Sequence, residues 1–423
     1  MKAIIKYCIT EEKYYTLCCK NSENDFRASG SDRLFDNGEQ HLNILTIHST
    51  QGGLMMADRK RILLHGSYNG SNYGDILLAW MIQKTIYSEG ADVVLNNASP
   101  YFKRVMGHDV AGGLKADLDG IDGAVFGGGG YIVTRRVGMR AVRLLLMTHL
   151  RPMMRLIKRN VPFMVCGVGC GPIHGALMQK IAAGTLRHAR KIIVRNAESE
   201  EYLKEYGVSE NVTVGADLAL TFSKDLIPPE AVEEAEKDLA KTAGKKLVFI
   251  HINLLNPDGE PQNDVQRGCA ALVEAITDYV RKNEDVFFII GTDYVSPLVE
   301  RINRVIYERL PKSRCLLLPK YDIWYLSAVL SKVDAVITTK LHVGIVSTAL
   351  GKTVLSFSGD QKIRRFYRQI GAPERCVELN TLDYEKALCQ LDKYLYAEPV
   401  NIEPQRKLAE DALQEVRNFI RSL

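Results

Sequence analysis

Short apolar runs alternate with amphipathic stretches along most of the chain, and that alternation sets the architecture. RILLHGS, from Arg61, is an apolar run ending in glycine and predicts a buried strand that enters a loop. DILLAWMIQKTIYSEG then places Ile76, Ala79, Trp80, Gln83 and Ile86 near helical spacing, and Gly90 closes it. ADVVLNN predicts the next strand, and GIDGAVFGGGGYI a strand followed by a glycine loop. Residues 136–158 predict a basic helix, and VPFMVCGVGCGP another strand running into glycines. KIIVRNAES and NVTVGADLAL complete this first half.

LIPPEAVEEAEKDLAKTAGKK carries Pro228-Pro229, a charged helical stretch and Gly244, the composition of a surface connection. The alternation restarts with KLVFIHINL and runs through DVFFIIGTD, RCLLLPK, DAVITTKLHVGIVSTALGK and TVLSFSG, and residues 405–423 predict one amphipathic helix. Strands separated by single helices predict βαβ units and parallel sheets. The expected fold is therefore α/β, with two Rossmann-like halves separated near residues 225–245. The site is expected in the cleft facing the carboxyl ends of the strands. The domains are read as 56–230 and 231–400, followed by a closing helix over 401–423.

Residues 1–55 break the pattern. They hold three of the nine cysteines, with six Lys/Arg against seven Asp/Glu and weak periodicity. They are expected to be a disordered extension or an upstream mis-called start.

Composition narrows the function classes. The 423 residues are 46% hydrophobic and 25% charged, which excludes low-complexity and wholly disordered readings. The net charge of +5 is too mild to argue for nucleic acid, and no basic stripe with interleaved aromatics stands out. No apolar run approaches the ~18 residues of a spanning helix, and the start lacks a signal-peptide core. No CxxC pair occurs, so the cysteines read as reduced thiols and the expected compartment is the cytoplasm. No metal site is expected.

Four stretches can carry chemistry. HGSYNGSNYGD (65–75) sets Ser67, Asn69, Asn72 and Gly74 between a strand and a helix opened by Asp75. Small residues let backbone N–H groups approach an oxygen-rich ligand at such a helix start. A tight turn capped by Asp75 is the simpler alternative. The GGGG loop with Gly128 and Gly129, and GVGCGP with Gly169, add two more glycine loops at strand ends. Arg195 follows the strand KIIV, where its guanidinium can fork onto a phosphate or carboxylate, or pair with Glu198, Glu200 or Glu201. Finally, Lys340, Leu341 and His342 follow the strand DAVIT at a helix start. That is a position suited to an anion and to a proton donor near neutral pH; Lys362 adds charge after the next strand. The basic helix, with Arg136, Arg140, Arg143, Arg151, Arg155, Lys158 and Arg159, is either a solvated face or a peripheral contact with an anionic membrane.

Taken together, GSYNGSNYGD, GGGG, GVGCGP, the VR-x3-S stretch, GAD at 215–217 and KLHVGIVSTALGKTVLSFSGDQK resemble the polysaccharide pyruvyl transferase family over about residues 61–372. The resemblance implies two Rossmann-like domains facing a cleft, the glycosyltransferase-B-like arrangement. It also implies a metal-independent enzyme of polysaccharide biosynthesis for the cell envelope or exopolysaccharide. Such an enzyme moves a pyruvyl group from phosphoenolpyruvate onto a sugar as a cyclic ketal and releases phosphate. Phosphoenolpyruvate would be a co-substrate, with no cofactor, and the acceptor a sugar or polysaccharide precursor, lipid-linked forms included.

The family's Arg-Leu-His triplet reads Lys340-Leu341-His342 here, and its separate arginine matches Arg195. The lysine keeps the charge but lacks the bidentate fork. The resemblance assigns Arg195, Lys340, Leu341, His342 and Lys362 to the donor. Ser67, Asn69, Asn72, Gly74, Gly128, Gly129 and Gly169 would serve the acceptor. His342 is the expected proton donor or phosphate holder, and Asp75, ahead of Asp217, the expected base. A nucleotide-sugar-dependent glycosyltransferase of the same fold and a non-catalytic glycan- or anion-binding relative stay open. A dehydrogenase is disfavoured, because no GxGxxG opens either half.

Overall fold

The computed structural model describes residues 59–423, apart from 108–109, 135–137 and 243. The expected extension over 1–55 lies outside the described residues.

Two all-parallel sheets form the frame. The first has seven strands in the order β3-β2-β1-β4-β5-β6-β7. Its strands are β1 (Arg61–His65), β2 (Asp92–Asn96), β3 (Ala111–Gly113), β4 (Gly123–Gly127), β5 (Phe163–Val168), β6 (Ile192–Val194) and β7 (Val212–Val214). The second has six, ordered β10-β9-β8-β11-β12-β13. These are β8 (Lys246–His251), β9 (Val286–Ile290), β10 (Cys315–Leu317), β11 (Ala335–Thr338), β12 (Thr353–Ser358) and β13 (Cys376–Glu378). Central strands such as β4, β5 and β12 are buried along their whole length. Burial on both faces is why they read as continuous apolar runs rather than alternating ones.

Register follows from those runs. Leu63 of β1 lies between Val94 of β2 and Ala124 of β4, and Ile337 of β11 between Ile250 of β8 and Leu355 of β12. In both sheets the strand order reverses beside the first strand, between β1 and β4 and between β8 and β11. Such a reversal opens a crevice at the carboxyl ends of the strands.

The segment between the sheets forms a helix, Pro229–Leu239, that packs on the second domain through Lys332–Glu236 and Lys320–Glu234 ion pairs. The final helix, Glu403–Arg421, crosses back to the first sheet. Lys191 pairs with Glu415, Arg421 with Glu89, and Lys60 Nζ donates to the Ile420 carbonyl. The last stretch of sequence thus completes the domain that comes first. No helix among the described residues is long and apolar enough to cross a membrane.

Candidate active site

The loop after β1 divides its work between the two domains. Tyr68 turns into the first domain, where its hydroxyl donates to the Gly127 carbonyl at 2.7 Å. From Ser71 onward the loop reaches the second domain. The Val295 amide donates to Ser71 Oγ, the Tyr321 hydroxyl to the Ser71 carbonyl, and the Tyr73 amide to the Asp293 carbonyl. Ser67 is half-buried and Asn69 is exposed. The helix that follows spans Tyr73–Ser88, and its cap is Asn72, whose side-chain oxygen accepts from the Asp75 amide at 3.2 Å. The expectation that Asp75 caps this helix is therefore corrected. An extended residue three positions before a free amide makes the better cap, and Asp75 falls in the first turn with its carboxylate beside the glycine loop. Gly128 and Gly129 there take φ of +72° and +81°, and a Cβ on Gly129 would come within 2.9 Å of Asp75 Oδ1.

Arg195 leaves the end of β6 and is only 8% exposed. It does not pair with Glu198, Glu200 or Glu201. Its Nη1 donates instead to Asp217 Oδ2 at 3.1 Å, with Asp217 just beyond β7 and 2% exposed. The three glutamates lie on the helix Ala197–Glu205, on the far side of the Asn196 cap. Ser199 is likewise structural, with its hydroxyl accepting from the Cys170 amide at 2.9 Å. Gly169 lets the guanidinium lie flat against the β5 loop, since a Cβ there would meet Arg195 Nε at 2.8 Å.

The second domain supplies the facing wall. Lys340 occupies the cap position of the helix Leu341–Ala349 and makes no side-chain cap hydrogen bond, so the helix N-terminus keeps its amide donors. The Thr338 and Thr339 hydroxyls bond locally, to the Lys340 amide and to Asn253 Oδ1. His342, the second residue of this helix, points back across the cleft. Its Nε2 is 3.5 Å from Asp217 Oδ2 and has no hydrogen-bond partner among the described residues. On the other side it abuts Gly74 so closely that a Cβ there would fall 1.9 Å from His342 Nδ1. Any side chain at that crossing would displace the imidazole.

Burial alone would raise the Asp217 carboxyl pKa. His342, Arg195 and the Ala219 amide outweigh it and hold the group at about 2. Asp217 is thus a fixed negative charge that couples the cation of one domain to the imidazole of the other.

A second buried carboxylate supports Lys340. Asp293 Oδ1 lies 3.5 Å from Lys340 Nζ and 3.0 Å from His251 Nε2, while Lys340 sits 4.4 Å from the centre of the Tyr294 ring. Burial opposes ionisation of Asp293 as well, but His251 and Lys340 hold its pKa below the ordinary value. Neither His251, at the end of β8, nor Asp293, just past β9, stands out in the sequence. The available signal is a titratable side chain at or just past the carboxyl end of an apolar strand.

Arg195, Asn196 and Asp217 line one side of a small pocket, and Leu341, Ile345, Lys362, Phe366 and Gln369 the other. Lys362 reaches it from an exposed position, paired with Asp360 at 3.2 Å. Gln369 closes the edge by donating to the Gly215 carbonyl at 3.0 Å. The fold thus gathers Gly74, Gly169, Arg195, Lys340, Leu341, His342 and Lys362 at the junction of the domains. Ser67 and Asn69 lie earlier in the β1 loop. No group of three His, Cys, Asp or Glu side chains among the described residues could hold a metal ion.

Two parallel-sheet domains joined this way define the glycosyltransferase-B-like class of fold, and solved structures agree. Staphylococcus aureus MnaA, in a co-structure with UDP, superimposes with a TM-score of 0.56 at 12% identity, covering 86% of this chain and 96% of that one. The UDP-GlcNAc 2-epimerase of Neisseria meningitidis, bound to UDP-GlcNAc, gives 0.55 at 11% identity, covering 84% and 100%. A putative UDP-N-acetylglucosamine 2-epimerase from Listeria monocytogenes gives 0.52 at 13% identity, covering 87% and 98%. No curated protein matches the sequence. The polysaccharide pyruvyl transferase family model, however, matches residues 72–361, well over half of the chain, and the chain belongs to that family.

Proposed function

We propose that the protein transfers a pyruvyl group from phosphoenolpyruvate to two hydroxyls of a sugar acceptor, forming a cyclic ketal and releasing phosphate. The observation that carries this reading is a small pocket lined by Arg195, Lys362 and Leu341, at the start of a helix with no side-chain cap, whose neighbouring residues are Lys340 and His342. A ligand with a phosphate and a carboxylate a few bonds apart matches that spread of positive charge.

In the reaction, the π pair between carbons 2 and 3 of phosphoenolpyruvate takes a proton at carbon 3. Carbon 2 becomes electrophilic and accepts the first acceptor hydroxyl. The bond from carbon 2 to the phosphate oxygen then breaks, and the second hydroxyl closes the ketal. Each hydroxyl loses a proton; one proton is retained on carbon 3 and phosphate carries the other.

His342 is the proton donor in this scheme, or holds the leaving phosphate. Asp217, fixed as an anion 3.5 Å from His342 Nε2, orients the imidazole. The same low pKa makes Asp217 a poor base, so the acceptor proton is assigned to Asp75, beside the Gly129 loop. The acceptor is assigned to the first domain's glycine loops, including Asn72 and Gly128.

Phosphate release from phosphoenolpyruvate, measured with a pool of sugar acceptors, tests the reading. His342→Ala should abolish it while leaving the thermal melt in place. Stabilisation of the protein by a UDP-sugar but not by phosphoenolpyruvate would favour the nucleotide-sugar alternative. Binding of phosphoenolpyruvate without turnover would favour a non-catalytic relative.

A further inference from the structure

Between Gly123 and Ala197 the chain carries thirteen Lys/Arg and no Asp or Glu. The charges in this run do not share one fate. Arg195 is bound to Asp217 in the site, Lys191 to Glu415, and Arg159 to Asp119. Within the helical stretch Met139–Lys158, Arg140, Arg151 and Arg155 have no ion-pair partner among the described residues. Arg140 and Arg151 are exposed and Arg155 is half-exposed, on one side of a stretch whose other side, including Leu145, Leu150, Met153 and Leu156, packs on the first sheet.

The same layer exposes apolar side chains where water would be expected to exclude them. Met139 is 80% exposed and Leu144 60%, while Leu177, on the neighbouring helix Ala176–Leu186, is 57% exposed. All three stand near the helix starts that follow the carboxyl ends of β4 and β5, the cleft side of the domain. The arginines run from there along the layer.

We infer that this face docks on an anionic lipid bilayer, with Met139, Leu144 and Leu177 entering the interface and Arg140, Arg151 and Arg155 on the headgroups. Long apolar side chains flanked by unpaired cations gain from both parts of a membrane surface, the acyl boundary and the negative potential. A nucleic acid would use the arginines but leave the leucines and methionine in water, and no exposed aromatic among the described residues accompanies them for base stacking. The orientation sets the glycine-loop rim of the cleft next to the bilayer, so an acceptor carried on a lipid would reach it without leaving the surface. That last consequence rests on the proposed function; the docking itself does not.

Co-sedimentation of the full chain with vesicles tests the inference. Vesicles of phosphatidylcholine mixed with phosphatidylglycerol should pellet the protein, and phosphatidylcholine vesicles should not. Arg140→Glu with Arg151→Glu should weaken partitioning by at least about tenfold and remove most of its salt sensitivity. Met139→Ser with Leu144→Ser should weaken it severalfold while keeping the salt sensitivity. Unchanged thermal melts would show that both double variants are folded. Equal binding to both vesicle types, no binding to either, or binding indifferent to both double variants overturns the proposal. Tight binding to duplex DNA that the Met139/Leu144 variant retains, without vesicle binding, overturns it in favour of a nucleic-acid surface. Phosphate release with a water-soluble acceptor should be unaffected in all these variants, so failure of the docking surface and failure of the pyruvyl-transfer reading give separate readouts.

Discussion

Asp217 Oδ2 stands 3.5 Å from His342 Nε2, and through that contact a carboxylate of the first domain holds an imidazole of the second. The same oxygen accepts from Arg195 at 3.1 Å. Asp217→Asn keeps the shape but removes the charge that both neighbours face. Phosphate release should fall by about a hundredfold or more, because a buried guanidinium is left without its counter-ion and His342 without its orienting anion. Activity within about threefold of the parent would remove Asp217 from the mechanism.

Asp217 also gives the protein an acid limit. Its folded pKa, about 2, lies below the ordinary 3.8, so the unfolded chain binds the proton more readily. The stability this provides is fully present above about pH 4 and is lost as pH falls from there towards 2, with a size on the order of 2 kcal/mol. Chemical denaturation of parent and Asp217→Asn proteins at a series of pH values measures it. The parent should show the steeper acid loss, and parallel curves would count against the assignment.

Gly74→Ala offers a sharper geometric test. The new Cβ would lie 1.9 Å from His342 Nδ1, so the imidazole must rotate or the helix start must shift. The substitution is otherwise mild, and alanine favours the helix by about 1 kcal/mol over glycine. The expected result is a folded protein with phosphate release reduced by about a hundredfold. Retained activity would mean that His342 need not hold its present position.

Much of this arrangement can be read from the sequence, for physical reasons. Buried parallel strands such as FMVCGV appear as unbroken apolar runs, and the residues just beyond them, Arg195, Lys340 and His342, fall at the carboxyl ends where such folds place ligands. Pairing is harder to read. Arg195 has three glutamates close by in sequence, yet finds Asp217 because β6 and β7 are neighbours in the sheet. His251 ends one apolar strand and Asp293 follows another, and only the β8–β9 pairing brings them together. The final helix shows its amphipathic face in sequence, but not that the face covers the first sheet rather than the second.

Asp293 is a positioning residue for Lys340, whose Nζ it holds at 3.5 Å. Under the proposed function Lys340 binds the donor rather than moving a proton, so Asp293→Asn should raise the KM for phosphoenolpyruvate by about tenfold with a smaller change in kcat. Lys340→Ala should do the same, and the double variant should be little worse than either single one. Full additivity would show that the two residues act independently.

His65, at the end of β1, and His149 form a buried pair. Asn96 Oδ1 accepts from the Ala116 amide at 3.1 Å, so its amide nitrogen is the group that donates to His65 Nδ1 at 2.8 Å. His65 must then carry its proton on Nε2, which donates to His149 Nδ1 at 3.1 Å. A second proton on His65 would confront the Asn96 amide. Burial, and next the neighbouring His149, hold the His65 pKa well below its ordinary value. The unfolded chain, with an ordinary histidine, takes up that proton below about pH 6.5, so stability should decline as pH falls through that point. The parent protein should melt several degrees lower at about pH 5 than at about pH 7, and His65→Gln should flatten that part of the profile whatever it does to the melting temperature itself. An unchanged slope in His65→Gln would assign the acid sensitivity to other groups.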